Sequence, residues 1–156
     1  MDDINTLRRI LKENRVIAVV GLSAEWHRPS YFAAKYMQEH GYRVIPVNPK
    51  YDSVLGEKCY KRLRDIPEKV DIVDVFRKTQ DVMPIAEEAI AIGAKVLWQQ
   101  LGVRNEEAAA KARAAGLETV LERCVKIEHA RLFGGLNWVG VNTRIVSAKR
   151  PRWLAY

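Results

Sequence analysis

Four positively charged side chains stand directly after, or a few residues beyond, short apolar runs of the chain. They are Arg28, Lys50, Arg77 and Lys78. Guanidinium and ammonium groups bind phosphates through charge-assisted hydrogen bonds, and Arg does so with a planar fork of donors. Because the same loops also carry hydroxyl, amide and glycine residues, their composition indicates a small ligand with several phosphate groups.

The first of these loops runs from Gly21 to Ser30 and holds part of a phosphate-binding pattern. A dinucleotide fingerprint would read G-x-G-x-x-G, and only Gly21 of its glycines is present. The hydroxyls of Ser23 and Ser30, the charge of Arg28 and the N-terminus of a helix that begins at Pro29 remain as groups that can hold phosphate. The alternative is that Gly21 only ends a strand and that Arg28 faces solvent.

The second loop carries a lysine where NAD-binding proteins usually carry an acid. It reads Asn48-Pro49-Lys50-Tyr51. A carboxylate at that point binds ribose hydroxyls, whereas Lys50 attracts a further phosphate. The loop therefore favours NADP or coenzyme A, whose riboses carry an extra phosphate, over NAD. The alternative is a simple Asn-Pro turn with a solvated lysine.

The third and fourth loops supply aromatic and amide groups. Phe76 precedes Arg77 and Lys78, and an aromatic ring beside two cations can stack on a base and pair with phosphate. The fourth loop reads Gln99-Gln100-Leu101-Gly102. Its two amides could hydrogen-bond a polar ligand tail, or they could cap nearby loops.

Apolar β-branched runs alternate with helical stretches along the chain, and this alternation predicts the fold. Helices are predicted over residues 29–40, 80–92, 106–115 and 125–133. Strands that alternate with helices form right-handed βαβ units, so we predict an α/β fold: a single doubly wound, Rossmann-like domain with a mostly parallel sheet flanked by helices. Pro46 lies in the second strand, where its missing N–H predicts a strand end or a bulge. Such sheets bind ligands beyond the carboxyl ends of their strands, which puts the four loops at one site.

Length and composition are those of an ordinary soluble domain. The 156 residues are 48% hydrophobic and 29% charged, which excludes disordered and fibrous proteins. No apolar run approaches the ~20 residues of a membrane-spanning helix, and the acidic start lacks the apolar core of a secretion signal. The cysteines, Cys59 and Cys124, make neither a disulfide framework nor a zinc site, so reduced thiols in the cytoplasm are expected.

The net charge of +7 is concentrated near the C-terminus. Residues 129–156 hold five Lys or Arg and no Asp or Glu, which leaves +2 for residues 1–128. Cations there interleave with aromatics in a way that could bind single-stranded nucleic acid. These residues include Trp138, Arg144, Lys149, Arg150, Arg152 and Trp153. The alternative, which we favour, divides the chain into a ligand-binding domain, residues 1–132, and an extension, residues 133–156, that packs on it or forms a homodimer contact.

Five segments together make the sequence similar to a known family. They are Ile17–Ser23, Arg28–Ser30, His40–Pro49, Val73–Arg77 and Arg123–His129. In this order, over roughly residues 5–132, they resemble the small stand-alone CoA-binding proteins, which are related to the N-terminal domain of the succinyl-CoA synthetase α subunit. One departure is that the first loop lacks the glycine-rich run of the synthetase domain.

The resemblance implies a Rossmann-like fold that binds coenzyme A or acyl-CoA. It implies that the first loop holds phosphates, that Lys50 lies near the phosphorylated ribose and that adenine lies near Phe76. The pantetheine arm is then expected to pass by Gln99–Leu101. An NADP-dependent oxidoreductase is the alternative, although the missing glycines weigh against it.

The reactive groups of the sequence do not form a familiar catalytic motif. No Ser-His-Asp order, HExxH or P-loop is present, and Asp71 and Asp74 lie within one strand at a spacing that turns them to opposite sides of the sheet. Cys124 is a candidate reactive thiol, because Arg123 could lower its pKa so that it forms a mixed disulfide with the CoA thiol. The alternative, which we favour, is a buried and inert cysteine. We therefore predict binding without catalysis.

Overall fold

The computed structural model describes residues 3–133 of the chain. The helices are α1 (Ile4–Glu13), α2 (Pro29–Glu39), α3 (Val82–Ala91), α4 (Glu106–Ala114) and α5 (Val125–Phe133). The strands are β1 (Val16–Val20), β2 (Arg43–Val47), β3 (Ser53–Val54), β4 (Glu57–Lys58), β5 (Ile72–Val75), β6 (Val96–Gln99) and β7 (Glu118–Val120). Short 3₁₀ helices cover Leu63–Asp65 and Thr79–Asp81. Apart from Phe133, the extension predicted over residues 133–156 lies outside the described residues.

Five of the strands form one parallel sheet in the order β2-β1-β5-β6-β7. β1 pairs with both β2 and β5, so the chain moves outward from β1 to β2 and then returns to β5 on the other side. The strand order reverses at this point, which is where doubly wound sheets bind their ligands. β3 and β4 form a separate antiparallel pair. The predicted fold class, a doubly wound α/β domain with a mostly parallel sheet, is confirmed.

The register of the sheet places the carboxyl ends of four strands side by side. Val20, at the end of β1, lies opposite Val47 of β2 and Val75 of β5. Val75 in turn lies opposite Gln99, at the end of β6. Since the strands are parallel, the residues that follow them leave the sheet side by side. The four loops singled out in the sequence are thereby gathered at one edge of the sheet.

Helices cover the sheet on both faces. Side chains of β1 alternate between two core clusters, because successive residues of a strand point to opposite faces. Ile17 and Val19 pack into one cluster, with buried residues of α1, α2 and α5. Ala18 and Val20 pack into the other, with buried residues of α3 and α4. The continuous apolar run of β1 is what burial on both faces requires.

Local signals in the sequence account for the ends of several elements. The carboxylate of Asp3 caps α1 by accepting hydrogen bonds from two backbone N–H groups of its first turn, both at 3.0 Å. Pro29 is the first residue of α2, as predicted. α3 begins later than predicted, at Val82, because Thr79–Asp81 forms a 3₁₀ turn before it. None of the helices within residues 3–133 is both long and apolar enough to cross a membrane.

Pro46, for which the sequence predicts a strand end or a bulge, is the next-to-last residue of β2 and forms no bulge. It pairs with Val19 in a continuous register. Its carbonyl oxygen accepts a hydrogen bond of 3.0 Å from the N–H of Tyr60, on the side of β2 away from β1. The N–H and C=O of one residue in a parallel strand point the same way, so the missing N–H falls on the outer edge of the sheet. No ladder hydrogen bond to β1 is lost.

Candidate functional site

A cleft of about 940 Å³ opens at the carboxyl edge of the sheet. Loops after β1, β2, β5 and β6 form its walls, together with the start of α2 and the residue before α5. Its lining residues are Gly21, Ser23, Glu25, Arg28, Pro29, Ser30, Asn48, Lys50, Tyr51, Phe76, Arg77, Lys78, Asp81, Gln100, Leu101, Val103 and Cys124. The volume is within the range of cofactor sites in proteins. Of the site residues predicted from sequence, Pro49, Gln99 and Gly102 do not line it.

Gly21 joins three of the strand ends. Its N–H donates to the carbonyl of Val47 at 2.8 Å, and the N–H of Phe76 donates to the carbonyl of Val20 at 2.9 Å. The φ angle of Gly21 is +88°, and a Cβ atom added there would lie 2.6 Å from the carbonyl oxygen of Phe76. Glycine alone satisfies both constraints. The fold itself therefore requires a glycine at residue 21, apart from any contact with a ligand.

The two serines of the first loop shape its backbone. The Ser30 hydroxyl accepts a hydrogen bond of 3.0 Å from the N–H of Ser23. The Ser23 hydroxyl accepts one of the same length from the N–H of Glu25. Each hydroxyl keeps its own O–H as a donor. Because Ser30 stands in the first turn of α2, its hydroxyl lies where the helix also favours an anion.

Arg28 is paired within its own loop. Its Nε donates to a carboxylate oxygen of Glu25 at 2.8 Å, and both side chains are exposed. This hydrogen bond holds the pKa of Glu25 below its usual range. Sequence reasoning missed Glu25 as a lining residue, although its spacing of three residues from Arg28 could have indicated the pair. An anion that reaches Arg28 must share it with this carboxylate.

Asn48 is buried and organises the second loop. Its Nδ2 donates to the carbonyl of Leu22 at 3.1 Å, and its Oδ1 accepts from the N–H of Lys50 at 3.0 Å. The side chain therefore ties the loop after β2 to the loop after β1 and sets the path of the chain into Lys50. The turn predicted from the Asn-Pro pair is present, with Pro49 on its exposed side. Asn48 lines the cleft as a support for Lys50.

Three cations of the cleft are not held in ion pairs among the described residues, although Lys50 adds to the effect of Arg28 in lowering the pKa of Glu25. Within residues 3–133, no carboxylate lies within 4.0 Å of the side-chain nitrogens of Lys50, Arg77 or Lys78. All three side chains are exposed. Tyr51 and the half-buried ring of Phe76 lie among them and pack against the core below. This wall of the cleft joins cations that are not held in ion pairs to aromatic surface, a combination suited to a phosphorylated nucleotide.

The two glutamines at the end of β6 have different roles. Gln99 is fully buried, and its amide is held by the backbone of Asn105: Oε1 accepts from the N–H at 2.7 Å and Nε2 donates to the carbonyl at 3.1 Å. It braces the loop before α4 and does not face the cleft. Gln100 lines the cleft, as does Leu101, which is 61% exposed. Gly102, with φ +81°, forms the turn beyond them.

A buried acid lies beneath Gln100. Asp74, in the central strand β5, has no solvent exposure, and its Oδ1 accepts a hydrogen bond from Nε2 of Gln100. Burial raises the pKa of Asp74 to about 8. Asp71 instead accepts from the backbone N–H groups of Arg15 and Val16, which agrees with the prediction that the two acids do not act as a pair. Sequence reasoning assigned no role to Asp74 at the site.

Cys124 lines the cleft, and its environment is closer to the buried cysteine that we favour from the sequence than to the reactive thiol. Burial raises the pKa of its thiol, and the nearby Asp74 adds to the shift. The guanidinium of Arg123 donates to the carboxylate of Glu128 at 3.2 Å. The possibility that Arg123 lowers the Cys124 pKa is not supported, because burial raises that pKa. The thiol is held in its protonated, less nucleophilic form.

Two of the histidines lie together, with the ring centroids of His40 and His129 5.3 Å apart, whereas His27 lies in the first loop. His27 is exposed in the first loop, 3.8 Å from Glu25. His129 is buried on α5, where its Nδ1 lies 3.0 Å from the hydroxyl of Tyr36, and burial lowers its pKa to about 4. His40 stacks on the ring of Tyr36. Across residues 3–133, no three His, Cys, Asp or Glu side chains come together in a group that could hold a metal ion.

Similar proteins include both small single-domain chains and parts of larger ones. A hypothetical protein from Pyrococcus horikoshii OT3 has a solved structure with a TM-score of 0.83 and 47% identity, over 85% of this chain and 93% of that one. The uncharacterized protein YneT of Bacillus subtilis is 40% identical over 80% of this chain and 92% of its own length. The α subunit of acetate–CoA ligase (ADP-forming) II of Pyrococcus furiosus is 33% identical, over 60% of this chain but only 21% of that subunit.

The family is shown by a match that spans the whole cleft. Residues 15–130 match the family model for a CoA binding domain. That range contains every strand end that contributes to the cleft, and it agrees with the similarity predicted from the five sequence segments. The chain belongs to the CoA binding domain family.

Proposed function

We propose that this protein binds coenzyme A, free or as an acyl thioester, in the cleft at the carboxyl edge of the sheet. The observation that carries the proposal is the wall formed by Lys50, Arg77 and Lys78. Three cations without a close carboxylate partner face a cavity of about 940 Å³. Coenzyme A brings a diphosphate, a ribose 3′-phosphate, an adenine ring and an uncharged arm, and the cleft offers a complementary group for each.

The phosphates are assigned by the positions of the donors. Lys50 is our candidate for the ribose 3′-phosphate, supported by its exposure and by the Asn48 hydrogen bond that sets its loop. The N-terminus of α2, with the Ser23 and Ser30 hydroxyls, is our candidate for the diphosphate, because helix N-termini favour anions. Arg28 adds charge at the same end, shared with its partner Glu25.

The uncharged parts of the ligand match the other walls. Phe76 is half-buried between the cations and the core, which supports a stacking contact with adenine. Gln100 and Leu101 combine an amide with an exposed apolar side chain, which suits a pantetheine arm made of amide and methylene groups. Gln99 was expected to share this role. We do not assign it to the arm, because its amide is hydrogen-bonded to the backbone of Asn105.

Binding without a reaction of its own stays our proposal from the sequence. The thiol of Cys124 is protonated at neutral pH, and the exposed His27 has only a 3.8 Å contact with Glu25. The ligase relative shares only its matched segment with this chain, 21% of its length, so its activity is not carried over. A homodimer, a cytoplasmic location and the role of the basic extension stay predictions from the sequence.

Calorimetric titration of the full-length protein tests the proposal. CoA and acetyl-CoA are expected to bind with a Kd well below about 1 mM, with one ligand per chain. NADPH also carries a ribose phosphate but lacks the pantetheine arm, so it is expected to bind more weakly and to be displaced by CoA. Binding of NADPH without competition from CoA would support the oxidoreductase alternative, and no binding of CoA below about 1 mM would overturn the proposal.

A further inference from the structure

Asp74 is an unusual residue for the centre of this sheet. It lies on β5 opposite Val19 of β1 and Trp98 of β6, both buried apolar side chains. Its carboxyl group is completely buried, and within residues 3–133 its Oδ2 has no hydrogen-bond partner. A buried carboxyl group is costly to keep, and an apolar side chain would fill the same layer at lower cost. The acid at this position therefore calls for a reason other than packing.

Gln100 connects Asp74 to the cleft. Its Nε2 donates to Oδ1 of Asp74, while the residue itself lines the cavity. Oδ1 of Asp74 accepts this bond whether or not the proton of the acid is on Oδ2, so the carbonyl oxygen Oε1 is the acceptor of the amide that stays available to a ligand. Among the described residues, no donor contacts that oxygen. Without Asp74, the amide could rotate by half a turn and present its N–H groups instead.

We propose that Asp74 is a positioning residue that sets the hydrogen-bonding polarity of the cleft: it holds the Gln100 amide so that Oε1 accepts a hydrogen bond from an amide N–H of the pantetheine arm. The proposal rests on the proposed function, since it concerns the arm of the same ligand. It names the feature of the ligand that is recognised, an N–H donor on an uncharged chain. Asp74 itself makes no contact with the ligand.

Comparison of two ligands separates this contact from the rest of the site. CoA contains the arm, whereas adenosine 3′,5′-bisphosphate keeps the adenine, the ribose and its 3′-phosphate but has no arm. Asp74→Leu removes the acceptor that holds Gln100, and Gln100→Leu removes the contact itself. Each variant is expected to weaken CoA by about 3- to 10-fold, the scale of one neutral hydrogen bond. The bisphosphate should bind within about twofold of wild type.

Two further variants show whether Asp74 acts through Gln100. Asp74→Asn keeps an oxygen acceptor for Nε2, so it is expected to retain most of the CoA affinity. In the double variant, Asp74→Leu should add no further loss to Gln100→Leu, because the residue that it positions is already absent. Melting curves of all variants are recorded with and without CoA. If Asp74→Leu does not fold, Asp74→Asn and Gln100→Leu still give the ligand comparison.

Several results would overturn the inference. Equal weakening of CoA and the bisphosphate would show a general effect on the fold, and additive losses in the double variant would show that the residues act separately. An unchanged CoA affinity in Gln100→Leu would show that Gln100 makes no such contact with CoA. These outcomes are distinct from failure of the proposed function, in which the wild-type protein itself does not bind CoA.

Discussion

The backbone of Gly21 passes so close to Phe76 that a Cβ atom on Gly21 would lie 2.6 Å from the Phe76 carbonyl oxygen. This contact joins the end of β1 to the end of β5, the two strands between which the strand order reverses. The floor of the cleft is therefore built by a close approach of main chains. A side chain of any size at residue 21 would separate the loops that carry the cations.

Replacement of Gly21 by alanine is expected to cost more stability than its dihedral angle alone explains. Gly41 supplies a matched control, since its φ of +89° is almost the same as the +88° of Gly21 but nothing lies within 4 Å of its added Cβ. Gly41→Ala should cost about 1 kcal/mol in free energy of unfolding, and Gly21→Ala about 2–4 kcal/mol, with a loss of CoA binding. Equal costs in urea denaturation would show that the Phe76 contact is unimportant.

Asp74 makes the stability of the protein decrease as the pH rises. Its pKa is about 8 in the folded chain against an ordinary value of 3.8, so the folded state binds more protons than the unfolded state between these values. The corresponding stability is complete below about pH 4 and is lost as the pH passes through about 8. One proton contributes at most about 1.4 kcal/mol per pH unit.

The Asp74→Asn variant tests this pH dependence of stability, because its neutral amide does not titrate and cannot contribute to it. Denaturation with urea between about pH 6.5 and about pH 8 should show the free energy of unfolding of wild type falling relative to the variant. Parallel curves for the two proteins over this range would mean that Asp74 is not a buried, protonated acid.

His129 produces the opposite trend in acid. Its pKa is about 4 in the folded chain against an ordinary 6.5, because burial disfavours the charged ring. The unfolded state therefore binds more protons between these values, and stability is lost as the pH falls from about 6.5 through about 4. His129→Phe, which keeps an aromatic ring beside Tyr36 and Tyr42, should remove this contribution, so that the free energy of unfolding of the variant rises relative to wild type as the pH falls from about 6.5 to about 4. A wild-type slope that persists in the variant would contradict the assignment.

Cys124 should react slowly with alkylating reagents at neutral pH. Burial raises its pKa, so little thiolate is present. In a Cys59→Ser background, alkylation by iodoacetamide near pH 7.5 is expected to be at least about 10-fold slower than that of an exposed cysteine in a short peptide. CoA should slow it further, because Cys124 lines the cleft. Alkylation faster than that of the peptide would show that Cys124 is a reactive thiol.

The sequence predicts the fold and the charged wall of the cleft because both depend on local patterns. Apolar runs separated by helices specify a parallel sheet, and its carboxyl edge follows from the direction of the strands. Lys50, Arg77 and Lys78 come within a few residues of a strand end, so their common location needs no knowledge of distant contacts. Asn105 is recognisable as a helix cap for the same reason, and it does accept from the N–H of Ala108 at 2.9 Å.

The remaining features depend on contacts that join distant parts of the chain. Two adjacent glutamines cannot be told apart in the sequence. Their orientations depend on where β6 ends: Gln99 is its last residue and turns inward, whereas Gln100 follows it and meets the cleft. The partner of Asp74 lies 26 residues away, in the loop after β6. The pKa of Cys124 depends on how deeply α5 and the sheet bury it, which residue spacing does not reveal.

Binding of CoA with its 3′-phosphate at Lys50 is the central claim, and calorimetry with two ligands tests it most directly. Lys50→Ala should weaken CoA by about 1.5–3 kcal/mol, roughly 10- to 150-fold, and leave dephospho-CoA, which lacks the 3′-phosphate, unchanged. Lys12→Ala, an equal change of charge on α1 outside the cleft, should affect neither ligand. Equal weakening of CoA and dephospho-CoA by Lys50→Ala, or no difference between their affinities in wild type, would contradict the claim.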